Sequence, residues 1–90
     1  MILTDRCLQD KTYLIHLIEA ENLKQLKKWG VQERTPFEWL TYTTEELGEL
    51  ANAINEHHYR QGSTQDVVKE AIQTATLSLK IAEMYLALEG

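Results

Sequence analysis

Residues 35–54 read TPFEWLTYTTEELGELANAI, and this stretch decides the fold. Its opening, Thr35-Pro36-Phe37-Glu38, has the layout of a helix start: the Thr35 hydroxyl can accept from free amides of the first turn, while Glu38 reaches back to the Thr35 amide. Pro36 falls at the first helical position, where a missing N–H costs nothing. Phe37, Leu40, Leu47, Ala51 and Ile54 recur at helical intervals, predicting one apolar stripe on a helix that runs to about Glu56 or His58. Three carboxylates, Glu45, Glu46 and Glu49, fall within the same stretch. The spacing puts Glu46 and Glu49 on one face, with Tyr42 and away from the apolar stripe, and lets Glu45 reach Glu49 one turn on. Like charges so placed cost an isolated helix roughly 0.2–0.5 kcal/mol per pair. Solvent can offset that cost, and then the acids are an ordinary exposed face. A divalent cation can also offset it, because Mg²⁺ prefers oxygen ligands and is usually held by a few carboxylates together with substrate phosphates.

Upstream, Leu14, Leu17, Ile18, Leu23, Leu26 and Trp29 repeat at three- and four-residue intervals, predicting a first helix from about Thr4 to Trp29. Asp5 suits its N-terminal end, Lys27 and Lys28 suit its C-terminal end, and Gly30 is placed to close it. The interval from Leu8 to Tyr13 is its least periodic part, and allows a break or a frayed start there. Downstream, Tyr59 to Gly62 reads as a polar turn, and Ser63 or Thr64 as the cap of a third helix that runs to about Leu88 with Asp66 in its first turn. Val67, Val68, Ala71, Ile72, Ala75, Leu79 and Ala82 cover too much of that helix for one stripe, so it needs partners on more than one side, and a second copy of the chain is one source. No alternating run or tight hairpin turn predicts a strand. The expectation is an all-α domain over residues 1–90, with three main antiparallel helices and a four-helix-bundle core completed by dimerisation.

Ninety residues allow one domain with a thin core. Hydrophobic residues at 43% and charged residues at 26% describe a globular chain rather than a disordered one. A net charge of −5 argues against a nucleic-acid-binding surface, and the basic cluster Lys24, Lys27, Lys28 reads as a solvated helix face beside Glu19 and Glu21. The lone Cys7 has no intrachain disulfide partner, which fits a reducing compartment. No membrane span or secretion signal is evident, and a cytoplasmic location is expected.

On the third helix, Glu70 and Gln73 stand three apart. If the second and third helices pack antiparallel, Glu46 and Glu49 can face Glu70 and Gln73, surrounding a cation with up to four oxygens, three of them charged. Lys80, two turns beyond Gln73, either meets a phosphate or faces solvent. Trp29 and Trp39 either stack a base or pack in a core or subunit interface, and His57 and His58 suit a helix C-terminus.

With these residues in place, the chain resembles the MazG-like branch of the all-α nucleoside triphosphate pyrophosphohydrolases, whose members carry ExxE on one helix and ExxD on the next. Glu46-Leu47-Gly48-Glu49 matches the first motif within EELGELANAI, and Glu70-Ala71-Ile72-Gln73 occupies the second with Gln73 in place of Asp. Lys28-Trp29-Gly30-Val31-Gln32 and Trp39-Leu40 extend the likeness, which covers about Lys28 to Ala82. The phosphoribosyl-ATP pyrophosphatases of the same superfamily have similar length but fit these strings less well.

The resemblance implies Mg²⁺-dependent hydrolysis of a (deoxy)nucleoside triphosphate to the monophosphate and pyrophosphate, by a homodimer or homotetramer. Mn²⁺ is a candidate substitute for Mg²⁺. Glu46, Glu49, Glu70 and Gln73 would be the metal set, Glu46 and Glu45 the catalytic carboxylates, and Lys80 a phosphate-binding group. Gln73 brings an oxygen ligand without charge, which motivates the alternative of a weak or inactive homologue serving nucleotide binding or oligomeric scaffolding.

Overall fold

A computed structural model describes residues 1–6 and 8–90. Cys7, read above as a lone thiol, lies outside the described residues. Three helices follow in order: α1 (Thr12–Trp29), α2 (Pro36–Arg60) and α3 (Thr64–Glu89). Among the described residues there is no strand, so the fold is all-α. No described helix is long and apolar enough to cross a membrane.

The predicted start of α1 at Thr4 is corrected: the helix begins at Thr12. The Asp10 carboxylate accepts from the Thr12 amide at 3.2 Å and ends the helix there, while Leu8 takes a left-handed φ of 66° ahead of it. Asp5 therefore sits outside the helix whose dipole it was expected to meet. Gly30 closes α1 as expected, with φ 71° and its N–H donating to the Leu26 carbonyl at 2.8 Å.

The second helix starts with the full reciprocal cap. The Glu38 amide donates to Thr35 Oγ1 at 3.1 Å and the Thr35 amide donates to Glu38 Oε1 at 3.2 Å. In the Thr-rich run that follows, Thr41, Thr43 and Thr44 donate their hydroxyls to carbonyls four residues back, which satisfies the hydroxyls within the helix. The helix extends two residues into the predicted turn, to Arg60, and stops at Gln61, whose φ is 59°. Ser63 is the cap of α3, accepting from the Asp66 amide at 3.0 Å.

This three-residue connection folds α2 back along α3, antiparallel to it. Gly62 makes the tight return possible: its N–H donates to the Glu56 carbonyl at 2.8 Å, its carbonyl lies 2.8 Å from His57 Nδ1, and a Cβ there would stand 3.0 Å from Glu56 Cβ and 3.1 Å from its backbone carbon. The α1 helix packs on α3 alone and makes no packing with α2. The α3 helix is thus the shared wall, and Lys80 on it donates to Gln25 Oε1 of α1.

The predicted stripe of α2 is also corrected. Phe37, Leu40, Leu47, Ala51 and Ile54 are exposed, Phe37 to 79%. The face turned to α3 instead carries Trp39, Tyr42, Thr43, Glu46, Leu50 and Ala53, with Trp39 buried and edge-on to Tyr42 at 6.0 Å. Periodicity pointed to the more regular face of this helix, and packing buried another. Among the described residues, the buried apolar side chains are Trp39 and Leu77.

Gly62→Ala is expected to destabilise the fold by about 1–3 kcal/mol, the usual cost of forcing a methyl into filled space. A thermal or urea melt beside the parent chain measures it.

Candidate metal centre

The helix pair brings Glu46, Glu49 and Glu70 together. Each offers a carboxylate oxygen, and these oxygens lie within 4.8 Å of one another. Glu46 and Glu49 come from one side of α2, one turn apart, and Glu70 comes from the opposing turn of α3. Glu46 and Glu70 are half-buried and Glu49 is exposed. The exposed Glu45 is not part of this group.

Gln73 completes the arrangement from one turn along α3. With its amide nitrogen turned inward, it donates to Glu46 Oε2 and to Glu70 Oε2, each at 2.9 Å. With the amide turned over, its oxygen joins the carboxylate oxygens, an arrangement that only a proton or a cation can reconcile. Neutral donor and oxygen ligand are thus two settings of one side chain, exchanged by a rotation of its terminal bond.

The electrostatics follow from crowding. Burial first, then the Glu49 charge and hydrogen bonding to Glu70, push the Glu46 carboxyl from 4.5 up to about 7. Glu70 is also raised, by burial first, while its hydrogen bond with Glu46 pulls the other way. The opposite signs favour a proton on Glu46 over one on Glu70. The donor set, three carboxylates and an amide oxygen, is the hard-oxygen chemistry of Mg²⁺ or Mn²⁺. A cation there would replace that proton and relieve the repulsion.

Beside the group lies an open cleft of about 370 Å³ between the C-terminal half of α2 and the start of α3. Glu49 and Glu70 form one end of it, and Asn52, Glu56 and Asp66 extend it toward Gly62. Arg60 holds Glu56 at 3.1 Å. Sequence reasoning placed Asp66 only as a helix-start acid and passed over Asn52 and Glu56. Their spacing from Glu49, Asn52 three residues or one turn on and Glu56 seven residues or two turns on, was the available signal.

The remaining candidates lie elsewhere. Lys80 is turned to α1, where it meets Gln25, which in turn donates to Glu21 at 2.8 Å; burial lowers the Lys80 pKa and the Glu21 charge opposes that. It does not face the carboxylates. Trp29 is exposed with the Lys28 ammonium 4.8 Å from its ring centre, and Trp39 is core. His57 is tied to the Gly62 carbonyl and stacks edge-on with His58 at 5.1 Å. No family model, curated protein or solved structure matches the chain.

A carboxyl raised on folding makes stability depend on pH with a definite sign. The fold is not penalised below the unfolded value of 4.5, and the penalty grows as pH rises through about 7, where Glu46 must ionise beside two carboxylates. Between pH 5 and pH 8, the metal-free chain is expected to lose stability of order 1 kcal/mol, after discounting for solvent screening of a half-exposed group. That corresponds to about 4–8 °C in Tm. Glu46→Gln should flatten the dependence, and millimolar Mg²⁺ or Mn²⁺ should restore the parent's Tm at pH 8, as scanning fluorimetry would read.

Proposed function

We propose that this chain is a Mg²⁺-dependent nucleoside triphosphate pyrophosphohydrolase of the MazG-like kind, cleaving (deoxy)nucleoside triphosphates to the monophosphate and pyrophosphate. The observation that carries the reading is the convergence of Glu46, Glu49 and Glu70 within 4.8 Å from two antiparallel helices, with Gln73 against two of them. It is the constellation expected from the order and spacing of the two motifs. The adjoining cleft opens to solvent at Glu49 and Glu70, so phosphates can approach the same oxygens a cation would use.

In this reading Glu46, Glu49 and Glu70 hold Mg²⁺, with the Gln73 oxygen as a fourth, uncharged ligand. Mg²⁺ when bound supplies neutralisation of phosphate charge and lowers the pKa of water. The chain's own contributions are separable. Glu46 gives up its proton on loading, so affinity for the cation rises with pH through about 7. Gln73 releases its hydrogen bonds to the two carboxylates and presents oxygen. Glu45, exposed at the side of the group, is the carboxylate able to take a proton from the attacking water. Lys80 is held by α1 and contributes to the helix interface rather than to the phosphates.

The enzyme is proposed to work as a homodimer or homotetramer. The surface of the chain, 7609 Å², exceeds by about 2,200 Å² the roughly 5,400 Å² usual for a folded monomer of this mass. The extended leading residues supply part of that excess and outward helix faces the rest.

One observation favours a second reading. An inward Gln73 amide satisfies Glu46 and Glu70 without any cation, as an Asp in its place could not. A chain settled in that state would keep the fold for nucleotide binding or scaffolding and turn over slowly or not at all.

A product assay across ribo- and deoxyribonucleoside triphosphates separates the two. Monophosphate and pyrophosphate are expected with Mg²⁺ and not with chelator, and Glu49→Gln should reduce the rate by roughly 100-fold or more, beyond the cost of losing an outer-shell partner of a metal. Gln73→Asp should tighten Mg²⁺ binding by calorimetry. If the folded parent shows no turnover while Gln73→Asp gains it, the second reading stands.

A further inference from the structure

The cleft beside the carboxylate group has a chemistry of its own. Glu49 and Glu70 form the end that adjoins the candidate metal centre, and about 370 Å³ of space runs from there toward the turn between α2 and α3. That volume lies in the range of small-molecule pockets. Beyond Glu49 and Glu70, its polar atoms come from Asn52, Glu56, Ser63 and Asp66. Among the described residues, no lysine, arginine or aromatic side chain lines it. Arg60 is paired with Glu56 at 3.1 Å, and Lys69 acts on the Glu70 carboxyl from outside the lining.

Charge decides which half of a triphosphate such a cleft can take. Cleavage between the α- and β-phosphates leaves an uncharged nucleoside on one side of the reacting phosphorus and a pyrophosphate on the other. A cation held by Glu46, Glu49 and Glu70 offsets phosphate charge at the reacting end alone. A pyrophosphate placed deeper would lie against Asp66 with nothing to offset it, the like-charge juxtaposition that binding sites avoid. The nucleoside meets no such repulsion, so it fills the cleft and the pyrophosphate keeps to the open side, in water.

Spacing then matches parts of the nucleoside to residues. Asn52 stands one turn from Glu49 and Asp66 one turn from Glu70, so both lie ~5 Å deeper than the carboxylates that face the cation. That is the depth of the sugar hydroxyls, which are a few bonds from the α-phosphorus. The Asp66 backbone amide donates to Ser63 Oγ, but its carboxylate has no partner among the described residues. Its place in the first turn of α3 favours negative charge. An ionised carboxylate has acceptors only, and its two oxygens match the paired donors of a 2′,3′-diol. A carboxylate recognises the ribose 2′-hydroxyl in the same way in dinucleotide-binding folds. Asn52, across the cleft on α2, adds an amide donor and acceptor.

We infer that this cleft holds the ribose of a ribonucleoside triphosphate, with Asp66 accepting from its 2′- and 3′-hydroxyls and Asn52 beside them, so that the site selects ribonucleotides over deoxyribonucleotides. The inference rests on the pyrophosphohydrolase reading and names the residues that choose the sugar within it.

Two readouts test it on the parent, Asp66→Ala and Asn52→Ala. The first is kcat/KM with Mg²⁺ for matched ribo- and deoxyribonucleoside triphosphates. The parent is expected to favour the ribonucleotide of each pair by roughly 10- to 100-fold, the discrimination that one hydrogen bond to a charged group carries. Asp66→Ala should remove most of that preference and Asn52→Ala part of it. The ratio is the quantity to read, because a loss of folded protein or of cation affinity lowers both sugars alike. Asn52 is at an exposed helix position, so its substitution serves if Asp66→Ala fails to fold. The second readout is calorimetric binding of the α,β-methylene analogues of ATP and dATP, whose P–C bond cannot be hydrolysed. Tighter binding of the ribose analogue by a parent without turnover removes the hydrolase reading and supports the sugar assignment. Turnover or binding that treats the two sugars equally, or favours deoxyribose, overturns the inference and leaves the hydrolase reading in place. A ribose preference that neither substitution reduces overturns the assignment to Asp66 and Asn52. A folded parent with neither turnover nor binding overturns both readings.

Discussion

A carboxyl group is held against two others at the seam between two helices, and the rest of the molecule is arranged around that conflict. Glu46 faces α3 at a position where an apolar residue would add to a core already short of buried side chains. Its neighbours are Glu70 and Glu49, and the result is a carboxyl that keeps its proton to about pH 7. Such a group costs the fold stability once pH rises through about 7 and it must ionise. A functional site often carries local disagreement of this kind with what folding alone would select. Gln73 moderates the conflict, since its amide can present a donor to two of the carboxylates or an oxygen to a cation.

The geometry depends on a short piece of chain that carries no chemistry of its own. Gln61, Gly62 and Ser63 reverse the direction between α2 and α3, and the left-handed Gln61 with the close approach of Gly62 to Glu56 fixes where the return helix begins. That start sets the register of α3 against α2, and register sets Glu70 beside Glu46 and Glu49. A shift of one residue would rotate Glu70 by roughly 100° about the α3 axis and dissolve the group. The site is therefore a consequence of the turn as much as of the acids.

Economy of burial explains the other half of the molecule. Using the inward face of α2 for Trp39, Tyr42, Glu46 and Leu50 leaves its more regular apolar stripe without a partner inside the chain. The α1 helix does not supply one, because it packs on α3 alone, through contacts that include Lys80 and Gln25. A half-buried acidic group facing α3 and an exposed apolar stripe thus occupy two sides of a single helix.

The sequence by itself determined the elements that depend on neighbours a few residues apart. The cap at Thr35, the stop at Gly30, the cap at Ser63 and the helical character of all three segments are local hydrogen-bond and backbone matters, and each was legible. The pairing of Glu46 and Glu49 on one face, and of Glu70 with Gln73, was legible for the same reason. The start of α1 was not, because Thr4 to Lys11 carries no periodic signal and Asp10 competes for the first free amide. Only the tertiary structure decided which face of α2 is inside, since two faces carry apolar residues and the one with the more regular spacing is the one left outside. It also decided that Lys80 belongs to α1 rather than to the acids, because a position along a helix fixes height and angle but not which neighbour stands there. Register between helices, set by the turn and by competition for a small core, is a property of the whole chain, and no short stretch encodes it.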